Sequence, residues 1–151
     1  MPKIKQPKLL ENNIIEEFDY IKTKDKVLEH FYRYRTSKRK LDLISNEYKA
    51  CLSDIKNKTN SNVFGKIDTT AKKAEKIINE KEYIEEIEKS LKGLKYKLTP
   101  DEKVILEYCI LSTHTDEVVA DVLFLEKCNI YKRKKSCFIK VALYYGLEVL
   151  K

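Results

Sequence analysis

The sequence predicts an all-α protein. Charged residues make up 36% of its 151 residues, whereas there are only three Gly, three Pro and no Trp. Long charged side chains keep much of their rotamer freedom in a helix, while Gly and Pro interrupt helices. Two long stretches also repeat apolar residues every seven positions, which is typical of amphipathic helices. We expect long N-terminal helices packed with or linked to a C-terminal three-helix domain.

The first long stretch runs from Lys24 to Ile55 without Gly or Pro. Seven-residue spacing joins Val27, Tyr34, Leu41, Tyr48 and Ile55. This spacing predicts one continuous amphipathic helix, because residues seven apart lie on the same helix face. A shorter helix over "LLENNIIEEFDYI", residues 9–21, is expected before it.

The best internal boundary is "KNKTNSNVFGKIDTT", residues 56–70, which is rich in Asn, Thr and Ser. The next stretch repeats Ile77, Ile84, Leu91 and Leu98 at seven-residue spacing. We favour its packing against the first long helix. Periodicity does not reveal whether a partner helix belongs to the same chain, so a homodimer stays open. The expected segments are 1–60 (N-terminal helical region), 61–98 (linker and connecting helix) and 99–151.

The segment 99–151 begins with a strong helix-start signal. Thr99 can cap a helix, Pro100 suits its first position, and Glu102 can complete a capping box. We expect helices over about 100–112, from about 116, and from about 128 or 129 to 145, with Gly146 as a left-handed stop. Three helices joined by tight turns, the last of them basic, are typical of a helix-turn-helix domain that reads DNA.

The last of these helices contains "CNIYKRKKSCFIK", residues 128–140, and no Asp or Glu occurs from 127 to 147. With 100° per residue, an apolar face forms around Phe138 with Tyr131, Lys134, Val141, Ala142 and Tyr145. The opposite face carries Asn129, Lys132, Arg133, Ser136 and Lys140. The helix is therefore predicted to be amphipathic rather than uniformly basic.

The polar face predicts the DNA contacts. Asn129 and Arg133 are the candidates for reading bases, because Asn pairs with adenine and Arg with guanine through two hydrogen bonds. Lys132, Ser136 and Lys140 are candidates for phosphate contact, with Lys135 at the flank. The alternative is an ordinary solvated face, as on many surface helices. The absence of acids favours DNA, since the whole chain has 31 basic and 24 acidic residues.

A second basic block, "RYRTSKRK", spans residues 33–40. Its secondary phosphate-contact candidates are Arg33, Arg35, Lys38, Arg39 and Lys40. They are spread around a helix, so the block is equally well explained as the outer face of the long helix.

Several other classes are disfavoured. The sequence lacks phosphate-binding Gly loops, a nucleophile elbow and the zinc motif H-E-x-x-H, so we expect no enzyme and no cofactor. The four cysteines are irregularly spaced, which predicts free thiols and no metal site. No apolar stretch reaches about 18 residues and no signal peptide is evident, so we expect a cytoplasmic protein without membrane contact.

The C-terminal stretches "LTPDEKVILEYCIL", "DEVVADVLFL" and "NIYKRKKSCFIKVALYYGL" resemble a sigma factor region four type of helix-turn-helix. They are more similar to phage late-gene transcription regulators of the ArpU and RinA kind. Residues 131–135, Phe138, Ala142 and Gly146 match the pattern of their last helix. The resemblance implies an activator in a bacterial host cell that binds promoter double-stranded DNA and contacts RNA polymerase.

Two other functions stay open at this point. A small terminase-like subunit for DNA packaging also joins a helix-turn-helix to helical oligomerisation segments. A helical interaction module could instead use its basic face to bind an acidic protein.

Overall fold

The structure is a computed structural model that describes residues 6–57 and 63–151, and it is all-α. The helices are α1 (Asn12–Ile15), α2 (Tyr20–His30), α3 (Tyr32–Asn57), α4 (Val63–Lys95), α5 (Pro100–Ile105), α6 (Asp116–Leu123) and α7 (Lys127–Tyr145). A π-helical turn, Leu106–Ile110, extends α5. Extended pairing in these residues is limited to one bridge between Phe18 and Leu150. The predicted all-α class is confirmed.

The chain divides into two compact units. Residues up to Arg33 join Ser90–Lys151 in the terminal unit, and Tyr34–Lys89 form the hairpin unit. This division differs from the three consecutive segments expected from the sequence, because contacts far apart in the sequence unite both ends of the chain. Thus the Asp19 amide donates to the Val149 carbonyl at 2.8 Å, and the Lys151 amide donates to the Glu17 carbonyl at 3.2 Å.

The prediction of one helix from Lys24 to Ile55 is wrong. Helix α2 ends at His30, and Phe31 adopts φ −91° and ψ 2° before α3 begins. The Phe31 side chain is fully buried and packs edge-on against Tyr145 with 5.4 Å between ring centroids. Burial of this ring accompanies the local departure from helical geometry, and seven-residue periodicity does not register such a break. The expected helix 9–21 is also shorter, because Asp19 caps α2 by accepting from the Lys22 amide at 3.1 Å.

In the hairpin unit, α3 and α4 run antiparallel. The Tyr34 hydroxyl donates to Glu88 at 3.1 Å, and Lys73 pairs with Glu47 at 3.5 Å. The expected packing within the chain is thus confirmed. The expected boundary at 56–70 is only partly testable, since 58–62 lie outside the described residues. Helix α4 already includes 63–70, and buried Thr70 extends the seven-residue seam to which Ile77 belongs.

In the terminal unit, α7 is the central helix and contacts α1, α2, α5 and α6. Its fully buried apolar side chains are Ile130, Cys137, Phe138, Ile139, Val141 and Ala142. Neighbouring helices supply Ile105, Leu106, Ile110 and Val119, all fully buried as well. A helix surrounded on several sides buries much more than one stripe.

The predicted helix ends of this unit are largely confirmed. Thr99 accepts from the Glu102 amide, and the Glu102 side chain accepts from the Thr99 amide, which completes the capping box. Gly146 has φ 70° and ends α7 in the left-handed region, where Gly lacks the Cβ clash. Helix α6 begins at Asp116 as expected, and α7 begins at Lys127, one residue before the expected range.

Phe124 is a strained residue at the end of α6, with φ 55° and ψ 41°. Its side chain is 94% exposed, so little packing compensates the steric cost of the left-handed region.

We expect Phe124→Gly to raise the free energy of unfolding by about 0.5–1 kcal/mol, since the relief of strain exceeds the entropy cost of Gly. Phe124→Ala retains Cβ and should leave stability nearly unchanged. Urea denaturation of both variants checks this, and equal effects would contradict the strain argument.

Candidate nucleic-acid interface

Helices α5, α6 and α7 follow one another through short connections. The α5 segment with its π-helical turn ends at Ile110, α6 begins at Asp116, and residues 124–126 link α6 to α7. Helix α7 contacts both α5 and α6. This places the first turns of the basic helix directly after a three-residue turn.

The first turns of α7 have an exposed face. Cys128, Asn129, Tyr131 and Lys132 are exposed, while Ile130 points into the core. Within the described part of the chain, Lys132 has no carboxylate partner. Asn129 and Lys132 therefore lie where the sequence predicted them, on an accessible surface.

Most other cations of α7 are neutralised by acids from the helices beside it. The four ion pairs are Lys127–Glu117 at 2.7 Å, Arg133–Asp101 at 3.0 Å, Lys134–Asp116 at 2.8 Å and Lys140–Glu102 at 2.7 Å. All four acids stand in the first turns of α5 and α6, where carboxylates also interact favourably with the helix dipole. The segment 127–147 therefore contains no acids in the sequence, but acids from α5 and α6 lie beside it in the fold.

The prediction that Ser136 and Lys140 face a ligand is wrong. Ser136 is fully buried, and its hydroxyl donates to Glu102 at 3.0 Å while it accepts from the Leu10 amide at 2.9 Å. The Lys140 side chain is only 11% exposed. Its ammonium group donates to Glu102 and to the carbonyls of Lys8 and Lys97. Both side chains hold the fold together.

Glu102 is the centre of this buried polar cluster. Its side chain is fully buried, and its Oε1 accepts from Lys140 at 2.7 Å and from the Thr99 amide at 3.0 Å. Its other oxygen accepts from Ser136. The capping-box motif predicted only the bond to Thr99. No local signal pointed to the partners on α7, because they lie more than thirty residues away in the chain.

Lys135 lies beside two aromatic rings. Its ammonium group is 4.6 Å from the centroid of the Tyr131 ring and 5.4 Å from that of Tyr20. Tyr131 was assigned to the apolar face around Phe138, but its side chain is 53% exposed. In this part of the structure Lys135 has no carboxylate within ion-pair distance. The faces of the two rings attract the ammonium group weakly through cation–π interactions.

Lys134 was assigned to the apolar face, and the structure agrees in part. Its side chain is 12% exposed and its ammonium group lies 5.9 Å from the Phe138 ring centroid. The ammonium group reaches Asp116 at the edge of the core, which is how long basic side chains bury their stems.

The second basic block is divided between the two units. Arg33 belongs to the terminal unit, whereas Arg35, Lys38, Arg39 and Lys40 belong to the hairpin unit. Lys38 pairs with Glu88 at 3.5 Å, and the Arg39 side chain donates to the Arg35 carbonyl at 3.4 Å. Lys40 is exposed. Phosphate contact by these residues stays a prediction.

Two cysteines are buried in the terminal unit, Cys137 on α7 and Cys109 in the π-helical turn. Burial raises the pKa of the Cys137 thiol well above its usual value, and burial also raises the pKa of Cys109. Both thiols are therefore protonated and unreactive at neutral pH.

Among the described residues no group of three or more His, Cys, Asp or Glu side chains could hold a metal ion. A search of the same residues finds no helix that is long and apolar enough to span a membrane.

Comparisons of the chain with protein-family models, with curated proteins and with solved structures found no match. The resemblance to phage transcription regulators thus stays an interpretation of the sequence.

The buried cluster makes a prediction about stability. We expect Glu102→Gln to lower the free energy of unfolding by about 3–5 kcal/mol, because Lys140 would keep a buried charge without a counter-ion. Asp116→Asn changes a partly exposed pair and should cost less than about 1 kcal/mol. Adding Lys140→Met to Glu102→Gln should recover part of the loss. Chemical denaturation measures all three, and equal losses at Glu102 and Asp116 would contradict the assignment.

A second prediction concerns Tyr20, whose hydroxyl is buried without a hydrogen-bond partner in the described structure. Burial, and to a lesser degree Tyr131, raises the pKa of Tyr20 above its ordinary value. An acid with a raised pKa in the folded state makes folding less stable as pH rises above its unfolded pKa of about 10. Tyr20→Phe should stabilise the protein by about 1 kcal/mol at neutral pH and weaken the alkaline loss. Denaturation at pH 7 and pH 11 tests both effects. A loss of stability in Tyr20→Phe would contradict them.

Proposed function

We propose that this protein binds double-stranded DNA with the first turns of α7, which acts as the recognition helix of a helix-turn-helix. The observation that carries the proposal is the exposed face with Asn129 and Lys132 directly after the three-residue turn from α6. A recognition helix contacts base edges mainly with its N-terminal residues. The buried C-terminal half of α7 anchors the helix in its unit.

The exposed side chains have suitable chemistry. Asn129 offers an amide that can pair with adenine, and Lys132 and Lys135 offer ammonium groups for phosphates. Arg133 has a side chain that is 26% exposed and a salt bridge to Asp101. It would have to exchange this partner for a guanine edge. We therefore assign base reading first to Asn129 and only second to Arg133.

The biological role that we propose follows from the resemblance described above. It is a transcription regulator, a sigma-like activator of phage late genes that acts at promoter DNA in the cytoplasm of a bacterial host. Contact with bacterial RNA polymerase and the absence of catalytic activity are parts of the same proposal. Ser136 and Lys140 are not among the proposed DNA contacts, because both bind Glu102 in the buried cluster.

Salt dependence tests the phosphate contacts. The affinity for a DNA duplex should fall as salt rises, and Lys132→Ala and Lys135→Ala should each reduce the slope of log K against log salt by about 0.9. Lys92→Ala removes an exposed lysine of α4 and serves as the matched control. Fluorescence anisotropy with a labelled duplex gives these slopes. Equal slopes for all four proteins would contradict phosphate contact by α7.

Sequence preference tests base reading separately. Selection of bound sequences from a random duplex library should yield one motif for the wild type. Asn129→Ala should relax the preference at one position and cost about 1–3 kcal/mol at the selected site. Binding of all duplexes with equal affinity would sink the regulator role, and no duplex binding at low salt would sink the proposal itself.

A further inference from the structure

A groove of about 500 Å³ lies between α3 and α4 in the hairpin unit. On the α3 side it is lined by Lys40, Leu43, Ile44 and Glu47. These residues follow i, i+3, i+4 and i+7 spacing, so they share one face of the helix. Leu43 is 66% exposed, which leaves an apolar centre open between a basic and an acidic end.

Helix α4 lines the other side of the groove with Lys76, Asn79 and Glu80, again at i, i+3 and i+4. One carboxylate oxygen of Glu80 is buried without a hydrogen-bond partner in the described part of the chain. Such an oxygen costs free energy unless a donor reaches it. The groove therefore combines the exposed apolar side chain of Leu43 with polar side chains from α4.

We propose that this groove binds the same groove of a second copy of the chain. In the arrangement that the charges favour, α3 lies antiparallel to α3 of the other copy, and α4 lies antiparallel to α4. The proposal is independent of DNA binding.

The sequence of the α3 face is self-complementary in this arrangement. A two-fold axis that passes between the two α3 helices, perpendicular to both and level with the midpoint of Leu43 and Ile44, places Leu43 of one copy against Ile44 of the other. The same axis places Lys40 opposite Glu47, and each of these pairs occurs twice, as in any two-fold interface. A parallel arrangement would instead bring Lys40 against Lys40. Charge complementarity thus selects the antiparallel second copy.

The α4 face obeys the same symmetry. An axis midway between Asn79 and Glu80 places the amide of Asn79 against the carboxylate of Glu80 in the other copy, to which the amide can donate a hydrogen bond.

The hydrogen bond between Tyr34 and Glu88 shows how α3 and α4 are aligned. Tyr34 stands nine to ten residues before the α3 midpoint, and Glu88 stands eight to nine residues after the α4 midpoint. The two midpoints therefore lie at nearly the same level along the antiparallel helices, and one axis can pass both.

The apolar centre and the charged ends have different roles. Burial of Leu43 and Ile44 drives association, whereas exposed ion pairs are individually weak and mainly determine orientation. The Glu47 side chain is 62% exposed despite its pair with Lys73, so one of its oxygens is accessible to a lysine of the second copy.

Charge reversal in separate copies tests the proposal. Lys40→Glu gives a copy with carboxylates at positions 40 and 47. Glu47→Lys gives a copy with lysines at the same two positions. Each variant alone should repel itself, and we expect its dimer dissociation constant to rise about tenfold. An equimolar mixture should dimerise about as tightly as the wild type, because both contacts become attractive again. Sedimentation velocity of the full chain over a range of concentrations measures these constants.

Lys49→Glu is the matched control, because Lys49 is exposed and lies on the opposite side of α3. This variant should dimerise like the wild type, and circular dichroism should show equal helix content in every variant. A wild type that stays monomeric would overturn the proposal. Unchanged dimers in both charge-reversed variants, or a mixture no tighter than either variant alone, would overturn it as well. DNA binding is measured separately on the same samples, so either proposal can fail alone.

Discussion

The terminal unit depends on the buried Glu102 carboxylate. It completes the capping box of α5, receives Lys140 and Ser136 from α7, and through them is linked to Lys8 and Leu10 of the N-terminal segment. A buried carboxylate is tolerated only when its oxygens are paired and hydrogen-bonded, and here both are. One residue thereby orients α7 against α5 and holds the first described residues of the chain on both.

Pairing with acids of neighbouring helices also determines how much of the positive charge on α7 remains unpaired. Helix α7 lacks acids, but it packs beside the first turns of α5 and α6, and acids in those turns pair with its cations. Four cations of α7 are thus paired with acids of the same unit. Lys132 and Lys135 retain charge without a carboxylate partner among the described residues. A short exposed face at the start of the helix is therefore a better description than a long basic surface.

The hairpin unit shows the complementary case. Its seam residues Thr70, Ile77 and Ile84 are buried, yet a second face of α3 leaves Leu43 and its flanking charges exposed. Periodicity in one helix can thus encode two faces. The inner face pairs α3 with α4 inside the chain. The other face has a basic residue at one end and an acidic residue at the other, so an antiparallel copy brings opposite charges together. Such order is what a two-fold contact between copies requires.

Local chemistry in the sequence determined the all-α class, the capping box at Thr99, the start of α6 and the left-handed stop at Gly146, because these depend on neighbours within one or two turns. Only the tertiary structure decided the break at Phe31 and the roles of Ser136 and Lys140. A helical wheel centred on Phe138 assumes one partner surface, whereas α7 is contacted by α1, α2, α5 and α6. The number of elements around a helix decides which of its polar residues meet solvent, and that number is not encoded in any short stretch.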